Sequence, residues 1–248
     1  MLPEIQKFMP MLSSLRNKRI LVVVAHPDDE VLGPGATMHR LIKDYGCVIR
    51  AVILGEGITS RSNTRDVDEW NEQLKIHKAN IETARKCIGY DSVGVYDFPD
   101  NRFDSIALLD IIKVVESEKG AFKPDIIFTH HGGDVNIDHQ RTFEAVMTAT
   151  RPMAHENTST IITFETMSGT EWRASSDPRH FLPNLIAEIN EEGLDAKCNA
   201  MESYEFEKRT YPHPRSSQAL KVRAQMWGVA NGIKLAEAFQ VIRIIDKI

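Results

Sequence analysis

The 248-residue sequence is poor in several features, and each scarcity removes a class of protein. It has three cysteines, Cys47, Cys87 and Cys198, far apart and without a CxxC pair. Neither a disulfide framework nor a cysteine zinc site is available to them, and a reducing compartment is expected. No run approaches the ~18 apolar residues of a membrane span. The opening stretch, residues 1–19, is too polar and interrupted for a signal peptide. Net charge is only −5 and Lys and Arg form no block, which argues against nucleic acid or anionic lipid as a partner. There is no G-x-S-x-G elbow, no cysteine in a catalytic turn, no internal repeat and no Pro/Gly/Ser linker. A globular, cytoplasmic protein without a membrane anchor is therefore expected.

What is present is an alternation. The run RILVVV (19–24) is continuous, apolar and β-branched, as in a strand buried on both faces. Similar runs follow at Val48–Leu54, Ser92–Phe98, Asp125–Thr129 and Ser159–Phe164. Helical patterns separate them at Gly35–Tyr45, Val67–Ile88, Ser105–Glu118 and His139–Thr150. This order predicts an α/β fold: a Rossmann-like, doubly wound, mainly parallel sheet with helices on both faces. A single domain over 1–248 is expected, with 1–165 as the core sheet and 166–248 as a C-terminal segment capping the site edge. In that segment the pattern predicts a short helix over Pro183–Asn190, strands over Met201–Phe206 and Phe239–Ile245, and a helix over Ser216–Gly228.

The chemistry concentrates in two segments. AHPDDEVLGPG (25–35) follows the first strand and places His26, Asp28, Asp29 and Glu30 within five residues. Ligands in open α/β sheets sit at such strand ends. A solvated acidic turn capping the next helix is the plainer reading. Against it, His26 and Asp29 are three apart and can converge on one metal, leaving Asp28 free as a base. HHGGDVNIDHQRT (130–142) follows the fourth strand, so both segments should meet at one sheet edge, with His139 as third ligand. Two histidines and a carboxylate with an open position is the pattern of a catalytic zinc site, although iron or manganese also suits these donors. Asp138 either orients a ligand ring or caps the following helix. His130 and His131 are read as structural. Gly33 and Gly35 do not complete a dinucleotide fingerprint, since Met38 stands at the third glycine position.

HPDDE after a first buried strand, with NIDH after a later one, resembles the PIG-L-like (LmbE-like) family of zinc-dependent N-acetylglucosamine deacetylases. The resemblance extends through FPDNRFD (98–104), PHPRS (212–216) and AEAF (236–239). It implies zinc, one per chain, on His26, Asp29 and His139, with Asp28 as general base and then proton donor to the departing amine. It also implies that Asp100 contacts sugar hydroxyls, that the substrate is a small N-acetylated amino sugar, and that the chain forms a homo-oligomer, a trimer or hexamer. Two departures stand out. Many members read HPDH where this chain reads NIDH, so Asn136 occupies the position of a histidine that polarises the acetyl carbonyl. Asn136 itself, or His213 on its proline-flanked mount, from this chain or a neighbouring subunit, is expected to take that role. In the long helix the family's substrate-binding R-x-x-E becomes His77 and Asn80, with Arg61 and Arg65 as candidate replacements. The competing reading is a catalytically silent zinc-containing sugar-binding or scaffold protein. An intact Asp28 counts against it, because a structural metal site needs no free base.

Overall fold

The computed structural model describes residues 14–246; residues 1–13, read above as unlike a signal peptide, and the last two positions of the expected domain lie outside it. Five parallel strands form the centre: β1 (Arg19–Val24), β2 (Val48–Gly55), β3 (Ser92–Phe98), β4 (Ile126–His130) and β5 (Thr160–Phe164). Two more, β6 (Leu185–Glu188) and β7 (Ala236–Ile244), extend the sheet in the order β3-β2-β1-β4-β5-β7-β6, with β7 antiparallel to both neighbours. The α/β, mainly parallel architecture is as expected from the alternation.

Side-chain parity on the strands explains the two-faced core. Ile20, Val22 and Val24 of β1 point into one apolar cluster, and Leu21 and Val23 into another. The first cluster is closed by α2 (Gly35–Tyr45), α3 (Asn71–Ile88), α6 (Glu191–Ser203) and α7 (Ser217–Ala230). The second is closed by α4 (Leu108–Phe122) and α5 (Ile137–Ala149). A strand whose two faces are both covered must be apolar throughout, which is why RILVVV shows no alternation. Among the described residues no helix is long and apolar enough to cross a membrane.

The C-terminal segment departs from its sequence pattern twice. Pro183–Asn190 contains strand β6 rather than a helix, because β7 offers it a ladder. Met201–Phe206 is not a strand. Its first three residues finish α6, whose buried Leu194, Lys197, Cys198 and Met201 follow helical spacing.

Candidate active site

The first acidic segment leaves β1 and turns at once into the short helix α1 (Asp29–Leu32), which is buried throughout. Its N-cap, Asp28, has φ 108°, a left-handed conformation that Asp tolerates better than most residues. The turn is braced from three sides. His26 N–H donates to Asp29 Oδ2 (2.8 Å), Gly55 N–H to Ala25 O (2.7 Å), and the Tyr204 hydroxyl to Glu30 Oε1 (2.5 Å). Burial raises the Glu30 carboxyl to about 7, partly offset by that tyrosine.

The second segment leaves β4 and meets the first. Asp29 Oδ2 lies 3.4 Å from His26 Nδ1 and 3.3 Å from His139 Nε2, and the three donors lie within 4.8 Å of one another. The outward nitrogens of both rings face buried carboxylates. His26 Nε2 is 2.9 Å from Asp138 Oδ2, and His139 Nδ1 is 3.2 Å from Asp134 Oδ2. The hydrogen bond to Asp138 fixes the His26 ring so that its inner nitrogen points at the shared centre, while Asp134 faces His139 Nδ1 as a charge neighbour without a hydrogen bond. Burial alone would lower the His139 ring, but Asp29 and Asp134 raise it to about 9. His26 is likewise held well above its ordinary value, by Asp138 and Asp29 against burial. Burial would raise Asp29, yet His139 and His130 hold it well below the usual carboxylate range. A divalent cation entering this centre would therefore displace protons from the rings.

A second trio of His26, Asp100 and Asp138 is also close enough to hold an ion. Its oxygens are committed elsewhere. Asp138 Oδ1 accepts from Phe103 N–H (2.9 Å), and Asp100 accepts from Ser60 N–H, Ser60 hydroxyl and Asn101 Nδ2. The first trio is the better cation site. Beside it the buried Asp28 Oδ2 has no hydrogen-bond partner and lines a polar cleft of about 180 Å³. Burial pushes the Asp28 carboxyl well up, opposed chiefly by Arg215. Two nitrogens and an oxygen with an orphaned acceptor alongside fit a metal and a nucleophilic water.

The histidines at the end of β4 are occupied structurally. His130 Nε2 accepts from Ala25 N–H (2.9 Å), its Nδ1 bonds Thr166 Oγ1 (2.9 Å), and its ring stacks on His139 at 3.9 Å. His131 Nε2 donates to Arg179 O at 2.7 Å. The helix cap of α5 is Asn136, whose Oδ1 accepts from Asp138 and His139 N–H, so Asp138 orients a ring and does not cap. Asn136 and Asp100 do line the cleft; the Asn136 Nδ2 gives one proton to Asn101 Oδ1 (2.9 Å).

Three expected residues stand elsewhere. His213 does not line the cleft: it closes the 210–216 turn, its Nδ1 accepting from Arg215 N–H (3.1 Å), and it is Arg215 that the turn sends inward. Arg65 is bound in a two-pronged pair to Glu56 and, with His77, lines a separate cavity of about 450 Å³. His77 is buried behind the cleft wall against Tyr204 and Phe206, with neither ring nitrogen hydrogen-bonded. Sequence reasoning missed Arg215, Glu207, Arg209 and Asp134. Asp134 and Arg215 lie inside the two quoted motifs, but nothing in their spacing separates them from their neighbours.

Burial lowers the His77 ring to about 4, so it must stay neutral in the folded state. With an unfolded value near 6.5, the unfolded chain binds more protons between these limits, and stability falls as pH drops from about 6.5 to 4. His77→Leu should therefore gain stability relative to wild type on acidification, by up to about 3 kcal/mol. Urea unfolding of both proteins at pH 7.5 and pH 5 checks this; a difference independent of pH would refute it.

Residues 21–150 match the family model described as PIG-L, GlcNAc-PI de-N-acetylase. A curated relative, the "Uncharacterized deacetylase YaiS" of Escherichia coli K12, is 28% identical over 197 residues, 77% of this chain and 93% of that protein. N,N'-diacetylchitobiose deacetylase from Pyrococcus horikoshii superimposes with a TM-score of 0.68 at 18% identity, over 97% of this chain and 89% of its own. The 4-carboxy-2-hydroxymuconate hydratase GalB from Pseudomonas putida KT2440 superimposes with a TM-score of 0.70 at 19% identity, over 93% and 99%. At these identities the two structures show a shared fold.

Proposed function

Since this chain belongs to the PIG-L family of GlcNAc-PI de-N-acetylases, we propose that it is a zinc-dependent hydrolase removing the N-acetyl group from an N-acetylated amino sugar. The coarser assignment, a hydrolytic deacetylase of PIG-L type, has the family match and the curated relative behind it. The observation that carries the mechanism is Asp28 Oδ2, buried and without a hydrogen bond, facing only the Arg215 guanidinium at 3.3 Å, at the cleft beside the His26–Asp29–His139 centre.

Zinc held by these three residues would supply positive charge to polarise the amide carbonyl and make a water acidic enough to be deprotonated near neutrality. Everything else falls to the side chains. Asp138 keeps the His26 ring aimed, and Asp134 faces His139 Nδ1 as a charge neighbour. Asp28 Oδ2 takes one proton as the water oxygen bonds to the acyl carbon, and burial makes that carboxyl a willing holder. The same proton then passes to the amide nitrogen as the C–N bond breaks, giving acetate and the free amine. The remaining Asn136 Nδ2 proton is available to the substrate oxygen. Asp100, held by Ser60 and Asn101, lines the same cleft, which supports reading it as the contact to sugar hydroxyls.

A hydratase shares this fold, so the test must read the product and not only the metal. Purified protein loaded with one zinc per chain, or with iron or manganese, is expected to release acetate from N-acetylglucosamine or a simple conjugate. Full metal occupancy with no acetate from any N-acetylated sugar would overturn the proposal.

A further inference from the structure

Asp28 stands in a conformation that its position in the chain opposes. An Asp at the N-cap of a helix ordinarily sits at negative φ, its carboxylate accepting N–H groups of the first turn. Here φ is 108° and ψ −26°, and the side chain makes no capping bond. The carboxylate is thereby spared for the cleft, where Oδ2 faces Arg215 at 3.3 Å. A backbone held this far from its preferred regions persists only where the surroundings enforce it.

Glu30 supplies that enforcement from within α1. Its side chain turns back so that Oε2 accepts the Asp28 N–H (3.1 Å), while Oε1 accepts the Tyr204 hydroxyl (2.5 Å). Its backbone is pinned as well, since Glu30 O accepts the Tyr90 hydroxyl (2.7 Å). Glu30 and both tyrosines are buried, and the tyrosines belong to the apolar cluster beneath α2, α3 and α6. Glu30 is not among the residues that line the cleft, so it reaches the chemistry only through Asp28. We propose that Glu30, anchored by Tyr204, is a positioning residue: by taking the Asp28 N–H it holds the general base in its left-handed turn and keeps the carboxylate out of the helix cap and in the cleft. Tyr204 also opens the segment that brings Glu207, Arg209 and Arg215 to the cleft, so one hydrogen-bonded chain ties the base to the wall whose Arg215 faces it. This deepens the deacetylase reading and rests on it for its kinetic test, but not for its structural one.

The structural test is a crystal structure of Glu30→Ala. Asp28 should return to negative φ with its carboxylate on the N–H groups of positions 30 and 31. A φ still near 108° would overturn the proposal. Glu30→Gln can still accept the Asp28 N–H and give a proton to the Tyr204 oxygen, so it should keep the turn. In zinc-loaded protein Glu30→Ala should lower kcat for acetate release about 10²-fold, the scale of a misplaced catalytic group, with KM and zinc per chain unchanged. Glu30→Gln should stay within a few-fold of wild type. Should Glu30→Ala not fold, Tyr204→Phe keeps the ring and should lower kcat roughly tenfold, the worth of one hydrogen bond to a charged group. In an Asp28→Asn background neither variant should slow the residual rate further, because the residue they act through is already disabled. Equal losses in Glu30→Gln and Glu30→Ala, lost zinc, or additive losses on Asp28→Asn would leave Glu30 a structural role alone. A zinc-loaded wild type that releases no acetate would instead sink the deacetylase reading and leave the structural test standing.

Discussion

Asp28→Asn should lower acetate release by about 10²- to 10⁴-fold, the range for loss of a positioned general base, while zinc content and fold are retained. The amide has the shape of the carboxylate but cannot take the water's proton or return it to the amine. Structural cost should be small for three reasons. Oδ2 has no hydrogen bond to lose. Asn tolerates the left-handed backbone at φ 108° nearly as well as Asp. Arg215, deprived of one negative neighbour, keeps Glu207 and Ser168. Asp28→Ala is a poorer probe, since a residue without a short polar side chain is strained there by roughly 1–2 kcal/mol. Steady-state rates with metal analysis on the same preparation decide the matter. A variant that loses its zinc would make Asp28 a ligand, and one with near-wild-type turnover would remove it from the chemistry.

Asp28, Asp29, His26 and His139 were legible because their placement is local. Each lies within a few residues of a strand end, the hydrophobic runs locate those ends, and parallel connections bring them to one edge. Arg209 and Arg215 were not legible for the opposite reason. In PHPRS the prolines stiffen the chain, but whether His213 or Arg215 faces inward depends on where residues 204–216 dock, and that docking is set by Tyr204 on Glu30 and Glu207 between two arginines. The same holds for β6, four residues long, which is a strand because β7 lies alongside it. His77 stands where a substrate-binding arginine was sought, yet Tyr204 and Phe206 cover that position, and the guanidinium groups reach the cleft from another part of the chain.

His139→Ala should abolish stoichiometric zinc and, with it, the response of the fold to chelation. A ligand that binds only the native state stabilises it by RT ln(1 + [L]/Kd), about 4 kcal/mol when free zinc is a thousandfold above Kd. Wild-type protein should therefore lose about that much stability in urea when a chelator is added. His139→Ala, stripped of one of three donors, should unfold at the same urea concentration with or without it. Asp138→Asn should fall between the two, with zinc affinity reduced about 10- to 100-fold. Asp138 accepts Phe103 N–H on one oxygen and faces His26 Nε2 on the other. With His26 Nδ1 on the metal, Nε2 carries the proton, so the Asn NH₂ must meet a donor whichever way the amide turns. A chelator shift as large in His139→Ala as in the wild type would place the metal elsewhere. An unchanged affinity in Asp138→Asn would mean that burial and the tilted contacts with Phe103 and His139 hold the His26 ring without it.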